Sequence, residues 1–307
     1  MNKRISLKIT ADLDGKSILS VLRQLRVSDG IITYLKKLPH GITVDGTHAT
    51  VRRILKEGEC LVLDILEEGT GSGLVPTPLP IDIIYEDEDV IVLNKPPFVP
   101  THPSHGHQTD TLANALCYYF KNQDQRNGEF VFRALNRLDR NTSGVVCVTK
   151  NKYAAALYGA EMAEGRIKKK YLAVTDGDMS ALNDGAYHLI STYIRRERES
   201  IITRTVCDPD EDGAASAITE FKVICVSTDK KHSLVELLPQ TGRTHQLRVH
   251  LSHIGYPITG DGLYGRESAD IARHALHAEQ LFIEMQGRTR SFIAPLPEDI
   301  KALIDNF

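Results

Sequence analysis

RALNRLDRNTSGVVCVTKN, Arg133 to Asn151, is the segment from which the rest of this 307-residue chain is best read. It sets one acidic residue, Asp139, in a polar turn with Arg137, Arg140, Asn141, Thr142, Ser143 and Gly144. Directly after it, VVCVT (Val145 to Thr149) is a β-branched run that predicts a buried strand. An aspartate at the mouth of a strand, between two arginines, is placed to act on a ligand. The same residues also suit a plain structural turn, because Asp, Asn, Thr and Ser all bond nearby backbone amides. The segment alone leaves both readings open.

Working outward, the chain is long enough for a large core and for two domains. Its hydrophobic fraction of 41% and charged fraction of 25% are those of an ordinary globular protein. No apolar run approaches the roughly 18 residues needed to cross a bilayer, so no membrane partner is expected. The N-terminal MNKRISLKITADLDGK has charge but no apolar core, so no secretory signal is read and a cytoplasmic location is the expectation. The five cysteines are scattered, odd in number and never spaced as C-x-x-C. That pattern argues against a disulfide framework and against a cysteine zinc site. Cys60, Cys147 and Cys225 lie in apolar runs and read as small buried residues.

The net charge of −3 runs against the positive balance common in nucleic-acid binders, so the distribution of charge has to carry any such reading. Acid concentrates in YEDEDV (Tyr85 to Val90) and CDPDEDG (Cys207 to Gly213). Base concentrates in RIKKKY (Arg166 to Tyr171), VRRILK (Val51 to Lys56) and the stretch from Arg243 to His250. Each cluster by itself is equally well a solvated face.

Three segments are expected. In residues 1–68, Ile18, Leu22 and Leu25, then Ile31, Ile32, Leu35 and Leu38, recur at helical spacing. A strand, a turn at Asp45-Gly46 and a closing strand after Gly58 follow. GTGSGLVPTPLP, at 69–80, reads as a linker because its glycines flex and its prolines interrupt regular structure. In 81–307, strand-like runs dominate: IDIIY, DVIVLNK, GVVCVTK, KYLAVTDG, AITEFKVICVS and SLVELLP. TLANALCYYFKN and YAAALYGAEMAEG read as helices, the second with a glycine stop at Gly165. APLPEDIKALIDNF reads as a Pro-led terminal helix with Leu303 and Ile304 turned inward. Strands without strict βαβ alternation predict an α+β fold around a mixed, mostly antiparallel sheet.

RLDRNTSG resembles the R-L-D-x-x-T-S-G signature of the RluA family of RNA pseudouridine synthases. NKPPFVPTHPS (Asn94 to Ser104), TLANAL (Thr111 to Leu116), KKKYLAVTDG (Lys168 to Gly177), TGRTHQLRVHLSHIGYPITGDGLYG (Thr241 to Gly265) and HALHAEQLFI (His274 to Ile283) resemble that family's other blocks, in its order. The likeness covers residues 80 to 300. One departure is visible: the family usually has His where this chain has Asn136, three residues before the acid. Residues 1–68 resemble the alpha-L RNA-binding domain that many such synthases carry, with its arginine-rich helix diluted to Arg23, Arg26, Lys36 and Lys37.

The resemblance implies isomerisation of uridine in RNA, a reaction that needs no redox cofactor, metal or energy source. It implies Asp139 as the carboxylate that works at the ribose, by attack on the anomeric carbon or by removal of the 2′ proton. Arg248 is the expected ion-pair partner of Asp139, and Tyr171 the aromatic that stacks on uracil and helps remove the proton from carbon 5. Arg137 is expected to fill the gap left by a flipped base. Arg140, Lys168, Lys169, Lys170, Arg243 and His245 are expected to contact RNA. His245, His250 and His253 are not read as a metal site. The turn-rich stretch of Gly260-Asp261-Gly262 and Tyr264-Gly265 is expected to shape a pocket rim, with Leu276 and His277 placed either against the base or in the core.

Ribosomal RNA is the expected substrate, transfer RNA the next, and a monomer the expected state. Two other classes stand beside this one. A non-catalytic RNA-binding or ribosome-assembly factor would have no use for Asp139, Tyr171 and Arg248 together. A glycosidase or nucleosidase would pair Asp139 with Asp261.

Overall fold

The computed structural model describes residues 1–67, 73–121, 130–200, 202–285, 287–305 and 307. It contains two sheets, each with its own apolar core. The smaller is β1 (Lys3–Lys8), β4 (Cys60–Ile65), β2 (Ile42–Val44) and β3 (Thr47–His48), in that spatial order and antiparallel throughout. The helices α1 (Ile18–Gln24) and α2 (Asp29–Leu35) pack on it. Each is only two turns long, too short to persist alone, so burial must supply the stability. Ser17 and Ser28 cap them by accepting the Ser20 and Ile31 amides. Ile18, Leu22, Ile31, Ile32 and Leu35 are all buried, as their spacing predicts. Asp45 and Gly46 both take positive φ at the expected tight turn. Strand β1 was not among the expected elements; half-buried Lys3, Ile5 and Leu7 alternate with exposed Arg4, Ser6 and Lys8, and Lys3 on the inner face hides the apolar period.

Most of the expected linker carries no regular element from 73 to 80, and its residues 69–72 lie outside the described residues. The small unit docks on the main body through polar contacts. Arg133 forks onto Glu67 at 3.1 and 2.7 Å, Arg26 pairs with buried Glu161, and Tyr153 donates to the Leu25 carbonyl at 2.8 Å.

The main sheet has eleven strands. Its path is β11 (Arg204–Cys207), β10 (His188–Arg196), β12 (Ala215–Val226), β13 (His232–Pro239), β9 (Lys168–Asp176), β14 (Leu276–Met285), β8 (Ser143–Thr149), β6 (Val90–Lys95) and β5 (Ile83–Glu86). β15 (Arg288–Ile293) pairs with β14, and β7 (Arg133–Ala134) with β8. Every pairing is antiparallel except β14 with β8. The predicted α+β, mostly antiparallel architecture is therefore the one observed.

All seven residues of β8 are buried, which accounts for its unbroken run of small and β-branched side chains. Gly144 is required at its start: φ is +117°, and a Cβ there would lie 2.1 Å from the Ala278 carbonyl oxygen of the parallel neighbour. Helices α3 (Leu112–Lys121) and α4 (Lys152–Ala163) match the expected pair, and Gly165 follows α4 at φ +70°. Cys147 is fully buried, whereas Cys60 and Cys225 are only half-buried. Two further helices, α5 (Gln246–His253) and α6 (Glu298–Ile304), complete the body; Leu303 and Ile304 pack on the core as expected.

Candidate active site

A cleft of about 800 Å³ opens where the Asp139 turn, the first residues of β9 and the N-terminal end of α5 converge. Its walls include Arg137, Asp139, Lys168, Lys169, Tyr171, Arg243, His245, Arg248 and Leu276. Residues from three distant blocks of sequence thus share one concavity.

The turn that carries Asp139 is clamped residue by residue. The Asn136 amide donates to the Val145 carbonyl and accepts from the Cys147 N–H, both at 2.9 Å. Thr101 Oγ1 donates to the Leu138 carbonyl at 2.9 Å. Lys95 Nζ donates to the carbonyls of Arg140 (3.2 Å), Pro96 (2.8 Å) and Val99 (2.8 Å). Arg273 donates to the Asn141 carbonyl at 3.0 Å while its other nitrogens fork onto Asp299. Thr142 shares a hydrogen bond with His274 Nε2 at 2.8 Å. Arg137 is left exposed at the cleft rim, and Asp139 retains 25% side-chain exposure inside it.

Lys95 and Arg273 are both fully buried. Burial and the Arg273 charge push the Lys95 amine down to about 7, while Asp139 pulls it upward. Three carbonyl oxygens match the three N–H bonds of an ammonium, and a neutral amine would turn its lone pair on one of them. We therefore take Lys95 as charged, and as the cation beneath the turn.

Arg248 holds the centre of the cleft. Its Nε and Nη2 fork onto Asp261 at 2.7 Å each, and its Nη1 reaches Asp139 Oδ2 at 3.3 Å. The expected Arg248–Asp139 pair thus exists, but Asp261 is the closer partner. Burial works to raise the Asp261 carboxyl, yet Arg248's hydrogen bonds and charge outweigh it and hold the group low. Both Asp261 oxygens are occupied, Oδ1 also by the Leu263 amide at 3.0 Å. Asp261 orients Arg248 and is not a second open carboxylate, which removes the glycosidase pairing.

The sequence-expected residues divide. Asp139, Tyr171, Arg248, Arg137, Lys168, Lys169, Arg243 and His245 all line the cleft. Lys170 does not: strand alternation turns it away, onto Glu279 at 2.7 Å and Glu236 at 3.5 Å. Arg140 is exposed outside the lining and donates to the Phe98 carbonyl at 3.2 Å. Leu276 reaches the cleft, but His277 is buried between Ser143 Oγ (2.9 Å) and the Ala294 carbonyl (3.2 Å). His250 sits between Thr192 and Thr219, and burial pushes it down to about 4. Among the described residues no group of three or more His, Cys, Asp or Glu side chains is arranged to hold a metal ion.

Lys169 lines the cleft without an acidic partner among the described residues, and its amine is lowered by desolvation alone. Tyr171 is buried; burial, with the Asp139 charge behind it, drives its phenol well above the usual range. Sequence reasoning gave no functional place to Lys95, Thr101, Arg273 or His274, and placed Tyr264 only in a stretch shaping the pocket rim. Each acts through a contact distant in the chain, except that Tyr264 lies in the same block as Arg248.

A family model described as RNA pseudouridylate synthase matches residues 89–253. The chain is 37% identical to the uncharacterized RNA pseudouridine synthase YjbO of Bacillus subtilis over 283 residues, 92% of this chain and 95% of that one. It is 32% identical to ribosomal large subunit pseudouridine synthase D of Borreliella burgdorferi over 83% of this chain and 77% of that one. Among solved structures, human RNA pseudouridylate synthase domain containing 1 superposes with a TM-score of 0.55 at 29% identity, over 75% of this chain and 86% of that one.

Proposed function

This chain belongs to the RNA pseudouridylate synthase family and is an RNA pseudouridine synthase, and from that premise we propose that Asp139 performs the isomerisation on uridines of large-subunit ribosomal RNA. The reaction breaks the bond from uracil N1 to the anomeric carbon and forms one from carbon 5. The proton on carbon 5 is lost and N1 gains one, so atoms and electrons balance without a co-reactant. The observation that carries the assignment is Asp139 in the cleft with a quarter of its side chain exposed, Oδ2 held by Arg248 and Oδ1 without a hydrogen-bond partner among the described residues.

A base presented there would lie against Tyr171 and Leu276. Burial keeps the Tyr171 phenol protonated at neutral pH, so it begins as a stacking face and donor. Part of what raises it is the Asp139 charge. Once Asp139 is spent, by bonding to the anomeric carbon or by taking the 2′ proton, that part disappears. The phenol then gives up its own proton more readily, N1 of the detached uracil being the group that must gain one, and the phenolate so formed takes the carbon 5 proton.

Arg137 at the rim is suited to stack in the gap left by the flipped uridine, a guanidinium plane replacing a base. Lys168, Lys169 and Arg243 are cations facing the cleft, and Lys169 has a counter-charge to gain from a phosphate. We assign residues 1–68 as the RNA-binding unit that helps select the substrate. The two-helix, four-strand arrangement and the exposed Arg23, Lys36 and Lys37 support that assignment. Ribosomal RNA is preferred to transfer RNA because several relatives are large-subunit synthases by name.

The test is pseudouridine mapping in total RNA from cells with and without the gene, with rescue by wild type and by Asp139→Ala. Sites in large-subunit ribosomal RNA should vanish on deletion and return only with wild type. Return with Asp139→Ala sinks the catalytic assignment. Loss confined to transfer RNA sinks the substrate.

A further inference from the structure

His245 stands out among the cleft residues for its backbone. Its φ and ψ are 58° and 15°, the left-handed region, although it is neither Gly nor Asn. Such a conformation costs of order 1 kcal/mol or more and persists where surroundings impose it. It throws the imidazole off the start of α5 to the side on which Arg248, three residues on, also projects. His245 Nε2 ends 3.8 Å from Asp139 Oδ2, the oxygen that Arg248 Nη1 already approaches at 3.3 Å. Among the described residues Asp139 Oδ1 has no hydrogen-bond partner.

The hydrogen bonds fix which ring nitrogen carries the proton. Tyr264 Oη receives the backbone N–H of Arg204 at 2.8 Å, and that amide can only donate. The hydroxyl's own hydrogen is then free for His245 Nδ1, also at 2.8 Å. With Nδ1 accepting, the neutral ring holds its proton on Nε2, pointed at Asp139. Burial, reinforced by the Arg248 and Arg204 charges against the pull of Asp139, keeps the ring neutral.

Tyr264 is itself immobilised. Its ring lies under the Arg248 guanidinium at 5.0 Å and edge-on to His245 at 5.6 Å, and its carbonyl takes the Ser252 hydroxyl at 2.6 Å. Asp139 is also faced by Lys95 from below and by Tyr171 and His274 from the sheet. Lys95 and His274 bond elsewhere, and Tyr171 makes no hydrogen bond to Asp139 among the described residues.

We propose that His245 is a positioning residue: held in one tautomer by Tyr264, it shares Asp139 Oδ2 with Arg248 and so leaves Oδ1 as the oxygen that meets the ribose. This rests on Asp139 being the catalytic carboxylate. It replaces the expectation that His245 serves RNA affinity. The 3.8 Å separation closes to a hydrogen bond when a bound uridine displaces water from the cleft.

Single-turnover rate and RNA affinity, measured separately on total RNA from cells lacking the gene, test it. His245→Asn tolerates the left-handed backbone but ends one bond short of Asp139, whereas His245→Gln restores the reach and an N–H donor. The rate should fall about tenfold or more in His245→Asn and recover substantially in His245→Gln, with RNA affinity unchanged within about twofold. Tyr264→Phe, which keeps the ring and frees the tautomer, should show a smaller loss of the same kind. A defect lying wholly in affinity, or an undiminished rate in His245→Asn, overturns the proposal. Asp139→Asn separates the two readings. Activity surviving in Asp139→Asn removes the premise and the proposal together; an inactive Asp139→Asn beside a fully active His245→Asn removes the proposal alone.

Discussion

The Asp139 turn and the N-terminal unit solve opposite problems. In the N-terminal unit, fifteen buried residues from Ile9 to Ile65 form a core that is apolar throughout, assembled from near neighbours in the chain. In the turn, five of the seven positions from Asn136 to Thr142, all but Arg137 and Asp139, are held by polar side-chain bonds: Leu138, Arg140, Asn141 and Thr142 by side chains arriving from elsewhere, and Asn136 by its own amide. Hydrophobic burial is non-directional and tolerates small shifts. A hydrogen bond is directional and does not. The difference teaches where this protein spends its precision: the core of the unit only has to hold its elements together, whereas the turn has to aim one carboxylate.

That contrast predicts a split between stability and rate. Leu35 is fully buried under the small sheet, so Leu35→Ala should cost about 2–5 kcal/mol in the unfolding of that unit. Its single-turnover rate on saturating RNA should stay within about twofold of wild type. Lys95→Met, filling the same volume, leaves three carbonyls without their donor and should cost roughly 1–3 kcal/mol. Its rate should nonetheless fall by about tenfold or more, because the Arg140 carbonyl is no longer tethered beside Asp139. Urea unfolding and single-turnover assays on both variants check this. A Lys95→Met enzyme that is less stable but equally fast would break the comparison.

Acid should separate the two regions as well. His250 is fully buried between two threonines, its pKa pushed from 6.5 to about 4 by burial and then by His253. Between those values the unfolded chain takes up a proton that the folded chain refuses. Stability must therefore fall as pH drops from about 6.5 toward 4, by at most roughly 1.4 kcal/mol per pH unit for this one group. His274, likewise held near 4 by burial and then by Arg248, works in the same window. The N-terminal core has no such group. Hydrogen exchange at pH 4.5 should show α5 and β12 losing protection before α1 and α2, and His250→Gln should flatten the slope. Equal loss of protection in both regions would refute it.

The same contrast explains what the sequence made legible. Ile18, Leu22, Ile31 and Leu35 announce two helices because local periodicity and local burial coincide. β8 was legible for the same reason. β10 and β11 were not: β10 alternates in burial but exposes the apolar Leu189 and Tyr193, so its hydropathy does not follow, and every residue of β11 is half-buried. In the site, Asp139, Tyr171 and Arg248 were readable from the family blocks. Their supports were not. Nothing near Lys95 in the chain says that its three acceptors include a carbonyl 45 residues away. Lys170 failed in the opposite way: a run of three lysines conceals that alternate residues of a strand face opposite sides.

The smallest expected effect lies at Asn136, the one visible departure from the family pattern. The side chain is buried, and its amide meets one acceptor, the Val145 carbonyl, and one donor, the Cys147 amide, each at 2.9 Å. It therefore pins the turn to β8 through a donor and an acceptor on one rigid group. A neutral imidazole also carries one donor and one acceptor, so histidine can make the same two bonds if the ring fits. Asn136→His should leave the rate within about twofold and cost less than about 1.5 kcal/mol, the range of a conservative core exchange. Asn136→Leu is nearly the same size but offers neither bond; it should cost roughly 1–3 kcal/mol and slow the reaction. Measuring the pair distinguishes hydrogen bonding from packing. Should Asn136→Leu match Asn136→His in both rate and stability, packing alone would hold this end of the turn, and its difference from the N-terminal core would shrink to the residues from Leu138 onward.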